Sequence, residues 1–160
     1  MKVLTQLSLV CLMVIGNEAA SAQSRYFQFG NLNQGATNVT TAWTKLNTTT
    51  GAHSFTKSDS LSVLEVFVNS RFSVGTISGA NGVRFRVRID TLVNANFENW
   101  GSLRTTGSSD FIPILAVFRN IPAGTHTVSI WAQTAPAGTA SGVTVDPGGW
   151  GGKIIVKETR

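Results

Sequence analysis

Past residue 22 the chain is written in twos. Val83, Phe85, Val87 and Ile89 alternate with Arg84, Arg86, Arg88 and Asp90, which predicts a strand with one face in the core and the other in solvent or an interface. From Leu61 to Val74 the pattern is fuller. Leu61, Val63, Glu65 and Phe67 fall on one side, and Ser62, Leu64, Val66 and Val68 on the other. Apolar residues on both sides predict a strand inside a sandwich or at a subunit contact. Phe111 to Arg119, with Pro113 near its start, reads as a strand that meets an edge or a bulge there. Thr125 to Thr134 reads as a strand with Val128 and Ile130 inward and Ser129 and Trp131 on the opposite face, and Lys153 to Glu158 as the last strand. Three shorter segments, 24–29, 43–46 and 53–56, complete the set.

Turn-forming residues separate these runs. Residues 30–41 and 75–82 read as loops, Asn47 to Gly51 and Asn120 to Gly124 as turns, and Asn81-Gly82 is a turn signal in its own right. Residues 94–110 read as a long polar loop with at most one short strand, and 135–152 as a glycine-rich loop. No window after Gln23 carries a helical period. Seven to nine short antiparallel strands without a helix predict an all-β fold, a two-sheet antiparallel sandwich of jelly-roll type.

The first 22 residues follow different rules. Lys2, the apolar run from Val10 to Gly16, and Ala20-Ser21-Ala22 before Gln23 have the layout of a secretory signal peptide, too short for a membrane span. The expected organisation is a leader, 1–22, and one jelly-roll domain, 23–160, secreted or periplasmic, with no transmembrane segment after cleavage. The only cysteine, Cys11, lies in that leader. Val10 before it is not small, which speaks against a lipid anchor. The mature chain would therefore have no disulfide and no thiolate metal site, a habit that suits a bacterial export route. Lys2 and Glu18 cancel within the leader, so the formal net charge of +5 belongs to the mature part. That is well short of the basic density expected of a nucleic-acid-binding protein.

Three segments, Gly82 to Asp90, Ile121 to Trp131 and Ile154 to Glu158, resemble in their order the later strands of bacterial modules similar to the complement globular-head and tumour-necrosis-factor jelly rolls. There a strand ending in an acidic residue precedes a hairpin like Ile121-Pro122-Ala123-Gly124-Thr125-His126-Thr127-Val128. Trp43 matches an early tryptophan common in such modules. The resemblance implies a ten-stranded jelly roll, commonly trimeric, used for recognition or assembly. It implies no chemistry. No collagen-like stalk accompanies it, so a trimer would rest on the globular faces.

The ladder Arg84, Arg86, Arg88 is the sharpest candidate site. Guanidiniums about 7 Å apart along one strand face match oxyanions such as uronates, sulfates or phosphates; the plainer alternative is a solvated face paired with Glu65 and Asp90. Trp100, Trp131 and Trp150 offer flat apolar rings for a sugar face, against buried packing as the alternative. Trp43 reads as core, and Trp150, within Pro147-Gly148-Gly149-Trp150-Gly151-Gly152, as the aromatic most open to solvent. His53 and His126 show no partner at the spacing of a metal site or a triad. Asp146 alone is thin support for a calcium ion. Two sequons, Asn38-Val39-Thr40 and Asn47-Thr48-Thr49, matter only where exported proteins are glycosylated.

These observations lead to a non-catalytic recognition or assembly protein, self-associating as a homotrimer and requiring no cofactor. A carbohydrate-binding module for acidic or neutral glycans is the alternative. A polysaccharide hydrolase is the third, since paired carboxylates can meet in space from distant positions.

Overall fold

The computed structural model describes residues 23–30, 32, 34–36, 38–46, 53–90 and 93–160. The expected leader and the turn at 47–51 lie outside them. In chain order the strands are β1 (Ser24–Phe29), β2 (Gln34–Ala36), β3 (Thr44–Lys45), β4 (Ser54–Lys57), β5 (Val63–Ser73), β6 (Thr76–Ser78), β7 (Val83–Ile89) and β8 (Val93–Asn94). They continue with β9 (Phe97–Glu98), β10 (Gly101–Leu103), β11 (Ser109–Phe118), β12 (Gly124–Thr134), β13 (Thr139–Ser141), β14 (Val143–Val145) and β15 (Lys153–Thr159).

The fold is an all-β antiparallel sandwich of jelly-roll type. One sheet runs β1-β15-β5-β11-β9, with β14 pairing β5 and β2; the other runs β10-β7-β12-β3, with β4 on β12 and β8 on β7. A small ribbon joins β13 to β6. Between the two large sheets Leu64, Val66, Val68 and Phe72 of β5 meet Val83, Phe85, Val87 and Ile89 of β7 and Val128 and Ile130 of β12 in one core. The rings of Phe72 and Phe85 lie 4.6 Å apart across the gap. Gly101 marks a close approach between the two sheets: a β-carbon there would stand 2.3 Å from the Ile112 side chain.

The long strands follow the alternation read from the sequence. β5 is the central strand of its sheet, between β15 and β11. It buries Leu64, Val66 and Val68 completely but leaves Phe67 38% exposed on the far side, where the described residues cover the second face only in part. The loops are where expectation and structure part. β2 and the Val39 bridge to Ala140 fall in 30–41, β6 in 75–82, β8, β9 and β10 in 94–110, and β13 and β14 in 135–152. Two or three residues cannot display a period, and these strands exist because a partner distant in the chain offers them free backbone groups. Pro113 sits in unbroken register opposite Asn69, without a bulge. Its carbonyl accepts from the Asn99 side chain, so the missing N–H faces the side where β9 has not yet begun, and no ladder bond is lost.

Two carboxylates pin the turns. Asp90, at a φ of 52°, accepts the Thr127 N–H at 2.9 Å and meets His126 Nδ1 at 3.0 Å. Glu158, buried near the end of β15, accepts the N–H groups of Ser58 and Asp59 and the hydroxyls of Ser58 and Ser62 at 2.6–3.2 Å. Burial alone would raise the Glu158 pKa. The four donors outweigh it and hold the carboxyl below its ordinary range.

A depressed carboxylate stabilises the fold fully above its unfolded-state value and loses that contribution as the pH falls through its folded-state value. Glu158→Gln is therefore expected to lower unfolding free energy at pH 7 by about 1–3 kcal/mol. The gap from the parent protein should close on acidification; urea melts from pH 7 to pH 3 measure both.

Candidate functional site

The outer face of the six-stranded sheet is paved with tryptophan and arginine. Alternation along β7 turns Arg84, Arg86 and Arg88 outward, and register puts Trp131 of β12 directly opposite Arg86. β10 brings Ser102 opposite Arg84, with Trp100 one step before the strand. Trp43 enters just ahead of β3. The planes interleave: the Arg86 guanidinium lies 4.8 Å from the Trp43 ring and 5.8 Å from Trp100, and Arg88 lies 4.5 Å from Trp131 and 5.8 Å from Trp43. Arg84 stands 5.5 Å from Trp100. Trp43 and Trp100 meet edge to face at 6.1 Å. Each cation is held against an electron-rich ring, a geometry worth about 0.5–2 kcal/mol per pair depending on desolvation.

Trp43 is thus a half-buried member of this outer face, not a core residue as its position predicted. It lies outside because the sheet's inner face is already filled by Phe85, Val87 and Ile130. The partners expected for the arginines also differ. Glu65 pairs with Lys157 and Asp90 with His126, while Arg86 pairs with Glu98 at 3.3 Å.

Glu98 is the residue that sequence reading missed. β10 pairs β7 at 83–85 and β8 pairs it at 88–89, which leaves the Val87 N–H without a strand partner. The Glu98 carboxylate fills that gap, accepting Val87 N–H at 2.6 Å through one oxygen and Trp100 Nε1 at 3.0 Å through the other. Nothing in the local sequence signals this, since the gap exists only once two short strands dock on β7. Burial raises the Glu98 pKa and the bonds to Val87, Arg86 and Trp100 offset only part of that. Burial, then the neighbouring Arg86, hold the Arg88 guanidinium below its ordinary value, with Glu98 opposing.

At the end of the ladder lies a cleft of about 180 Å³ lined by Asn81, Gly82, Arg84, Ser102, Arg104, Ala135 and Pro136. Arg84 and Arg104 are its only charged members among the described residues.

Trp150 is not part of this face. It is 70% exposed, as expected, but rests 5.7 Å from Arg71 on the outer side of the other sheet. That side carries an apolar row: Gln28, Ile155, Phe67 and Leu115 stand in register across β1, β15, β5 and β11. The next row is Tyr26, Lys157, Glu65, Val117 and Phe97. Tyr26, Phe67, Phe97, Phe111 and Leu115 are all exposed.

His126 and Asp90 have the spacing of a base and its orienting acid, yet His126 Nε2 already meets the Pro122 carbonyl at 2.9 Å. His53 is buried beside Phe29, and burial, then Lys45, lower its pKa. Asp146 is buried as a single carboxylate beside Gly152 and Ser70. Among the described residues no group of three His, Cys, Asp or Glu side chains gathers as a metal site would need.

No protein-family model and no curated protein matches the chain. Among solved structures it is similar to the tripod (BppUct-A-L) from the baseplate of bacteriophage Tuc2009, at 16% identity over 100% of this chain and 76% of that one, with a TM-score of 0.43. It is also similar to a family two carbohydrate esterase from Cellvibrio japonicus, at 15% identity over 87% of this chain and 35% of that one, with a TM-score of 0.22. Likenesses this distant assign neither a family nor an activity. The complement-head and tumour-necrosis-factor resemblance therefore rests on its three sequence segments alone.

Glu98→Ala strips the Val87 N–H and Arg86 of their shared acceptor, and is expected to cost about 1–3 kcal/mol in urea unfolding. Glu98→Gln keeps an acceptor for Val87 and should recover part of the loss. Trp100 emission should shift to the red in both.

Proposed function

We propose that this is an exported, non-catalytic recognition protein that assembles with copies of itself through the outer face of the seven-stranded sheet. The apolar row on that face carries the reading. Phe67 and Leu115 stand side by side at its centre, Tyr26, Phe97 and Phe111 extend it, and each keeps 38% or more of its surface exposed. Exposed large apolar side chains gathered on one solvent-facing sheet mark an interaction surface. Hydrophobic burial of about 25 cal/mol per Å² then favours covering it.

A second copy is the partner that the charges favour. The patch is set among Arg71, Lys153 and Lys157 and also Glu65, neighbours in the ladders of β5, β11 and β15. A rim bearing both signs lets an acid of one copy meet a cation of the next, whereas a single-sign rim would repel. Three copies is the number that the jelly-roll resemblance implies. Export rests on the leader-like layout of residues 1–22, and among the described residues no helix is long and apolar enough to cross a membrane.

The non-catalytic part draws on His126. A base in a hydrolytic triad must offer one ring nitrogen to a nucleophile, and both nitrogens here are held, by Asp90 and by the Pro122 carbonyl. Assembly through the seven-stranded sheet leaves the tryptophan–arginine face outward, where it meets ligand.

Light scattering coupled to size exclusion on residues 23–160 should give the mass of three chains at micromolar concentration. The double variant Phe67→Glu, Leu115→Glu, with far-UV dichroism unchanged, should elute as one chain. A monomeric parent protein overturns the assembly reading.

A further inference from the structure

The cleft at the end of the tryptophan–arginine ladder has the chemistry of an oxyanion site. Its lining brings together Arg84, Arg104, Asn81 and Ser102, with no acidic residue among the described lining residues. Arg86 next door has Glu98 as its counter-charge. Arg84 has only the Trp100 ring, and Arg104 is exposed on the far side of Ser102. Two arginines lining one concavity suit a bound anion, which accepts several charge-assisted hydrogen bonds from them.

The walls of the cleft are fixed before any ligand arrives. Ser102 is in register opposite Arg84. The Asn81 N–H donates to the Ala135 carbonyl at 2.9 Å and the Ala135 N–H to the Gly82 carbonyl at 3.1 Å, tying the β6–β7 connection to the segment after β12. A β-carbon at Gly82 would stand 2.7 Å from the Leu103 carbonyl oxygen, so the two strands approach as closely as glycine permits. Rigid, prearranged donors lower the ordering cost of binding.

Beside the cleft, Trp100 keeps half of its surface exposed. A flat ring next to an oxyanion pocket suits a sugar whose CH face stacks while its acidic substituent enters the cleft. With a net charge of only +5, the protein lacks the broad basic surface that a nucleic acid backbone would require.

We propose that this cleft binds the anionic substituent of an acidic glycan, a uronate carboxylate or a sulfate ester, through Arg84 and Arg104, with Trp100 against the sugar ring. The site rests on the reading of the protein as a recognition module, but not on its assembly.

Titration calorimetry of the mature protein against three oligosaccharides tests it: a polyuronate, a sulfated one and a neutral one of the same length. Saturable binding of the uronate, the sulfated chain or both, competed by inorganic sulfate, identifies the substituent and supports the site. Arg84→Gln and Arg104→Gln should each weaken that binding at least tenfold, while Arg119→Gln, which removes an equal charge on the β11–β12 turn, should change it less than twofold. Arg104 makes no hydrogen bond or ion pair with the described residues, so Arg104→Gln keeps the test valid if the Arg84 variant fails to fold. Absence of binding to both acidic chains, equal binding of the neutral one, or equal losses in all three variants overturns the proposal. The Phe67→Glu, Leu115→Glu protein repeats the titration as a single chain, so a failure of assembly and a failure of this site are read separately.

Discussion

The register between β5 and its neighbours is the constraint on which the rest depends. β5 pairs β11 from Ser73 opposite Ser109 to Leu64 opposite Phe118, and β15 along its other edge from Val63 to Asn69. Because side chains alternate with a period of two, a slip of one residue would turn Leu64, Val66, Val68 and Phe72 to solvent and Glu65, Asn69 and Arg71 into the core. The energy of burying four large apolar side chains, about 1.5–3 kcal/mol each, locks one register. Since no cysteine follows Cys11 in the chain, this packing has no covalent support after residue 22.

Once the inner faces are fixed, the outer faces have no freedom left, and they come out chemically opposite. On β7 the positions between core residues are three arginines, so their sheet gathers tryptophans as neighbours and neutralises one cation with Glu98. On β5, β11 and β15 the same positions include Phe67, Leu115, Ile155 and Val117, so that sheet shows an apolar row. Guanidinium planes stacked on indoles stay partly hydrated while covering ring surface. Phenyl and isobutyl groups have no such compromise and are satisfied only by another surface. One sandwich thereby carries two faces of different chemistry.

The buried polar groups are placed where strands end. Glu158 collects the donors of the 58–62 turn, Asp90, just past the end of β7, the Thr127 N–H of β12, and Glu98 the one amide that the strands flanking β7 leave over. In each case a carboxylate takes the place of a missing strand, accepting backbone N–H groups that would otherwise be buried and unsatisfied. This is how a sandwich with many two- and three-residue strands keeps its backbone hydrogen-bonded.

The sequence by itself determined the class of fold, the inward and outward sides of β7 and β12, and the exposure of Trp150, because a period of two over seven or more residues is a local property that burial converts directly into geometry. It also named five of the six residues now seen along the outer tryptophan–arginine ladder, missing Trp43 because a lone aromatic near a chain start carries no sign of which face it will take. Only the tertiary structure decided that Trp150 belongs to the opposite sheet, that Glu98 and not Glu65 or Asp90 serves the arginines, and that Arg104 joins Arg84 in one cleft. Those outcomes depend on which strands become neighbours and in what register, and residues far apart in the chain hold no local record of that choice.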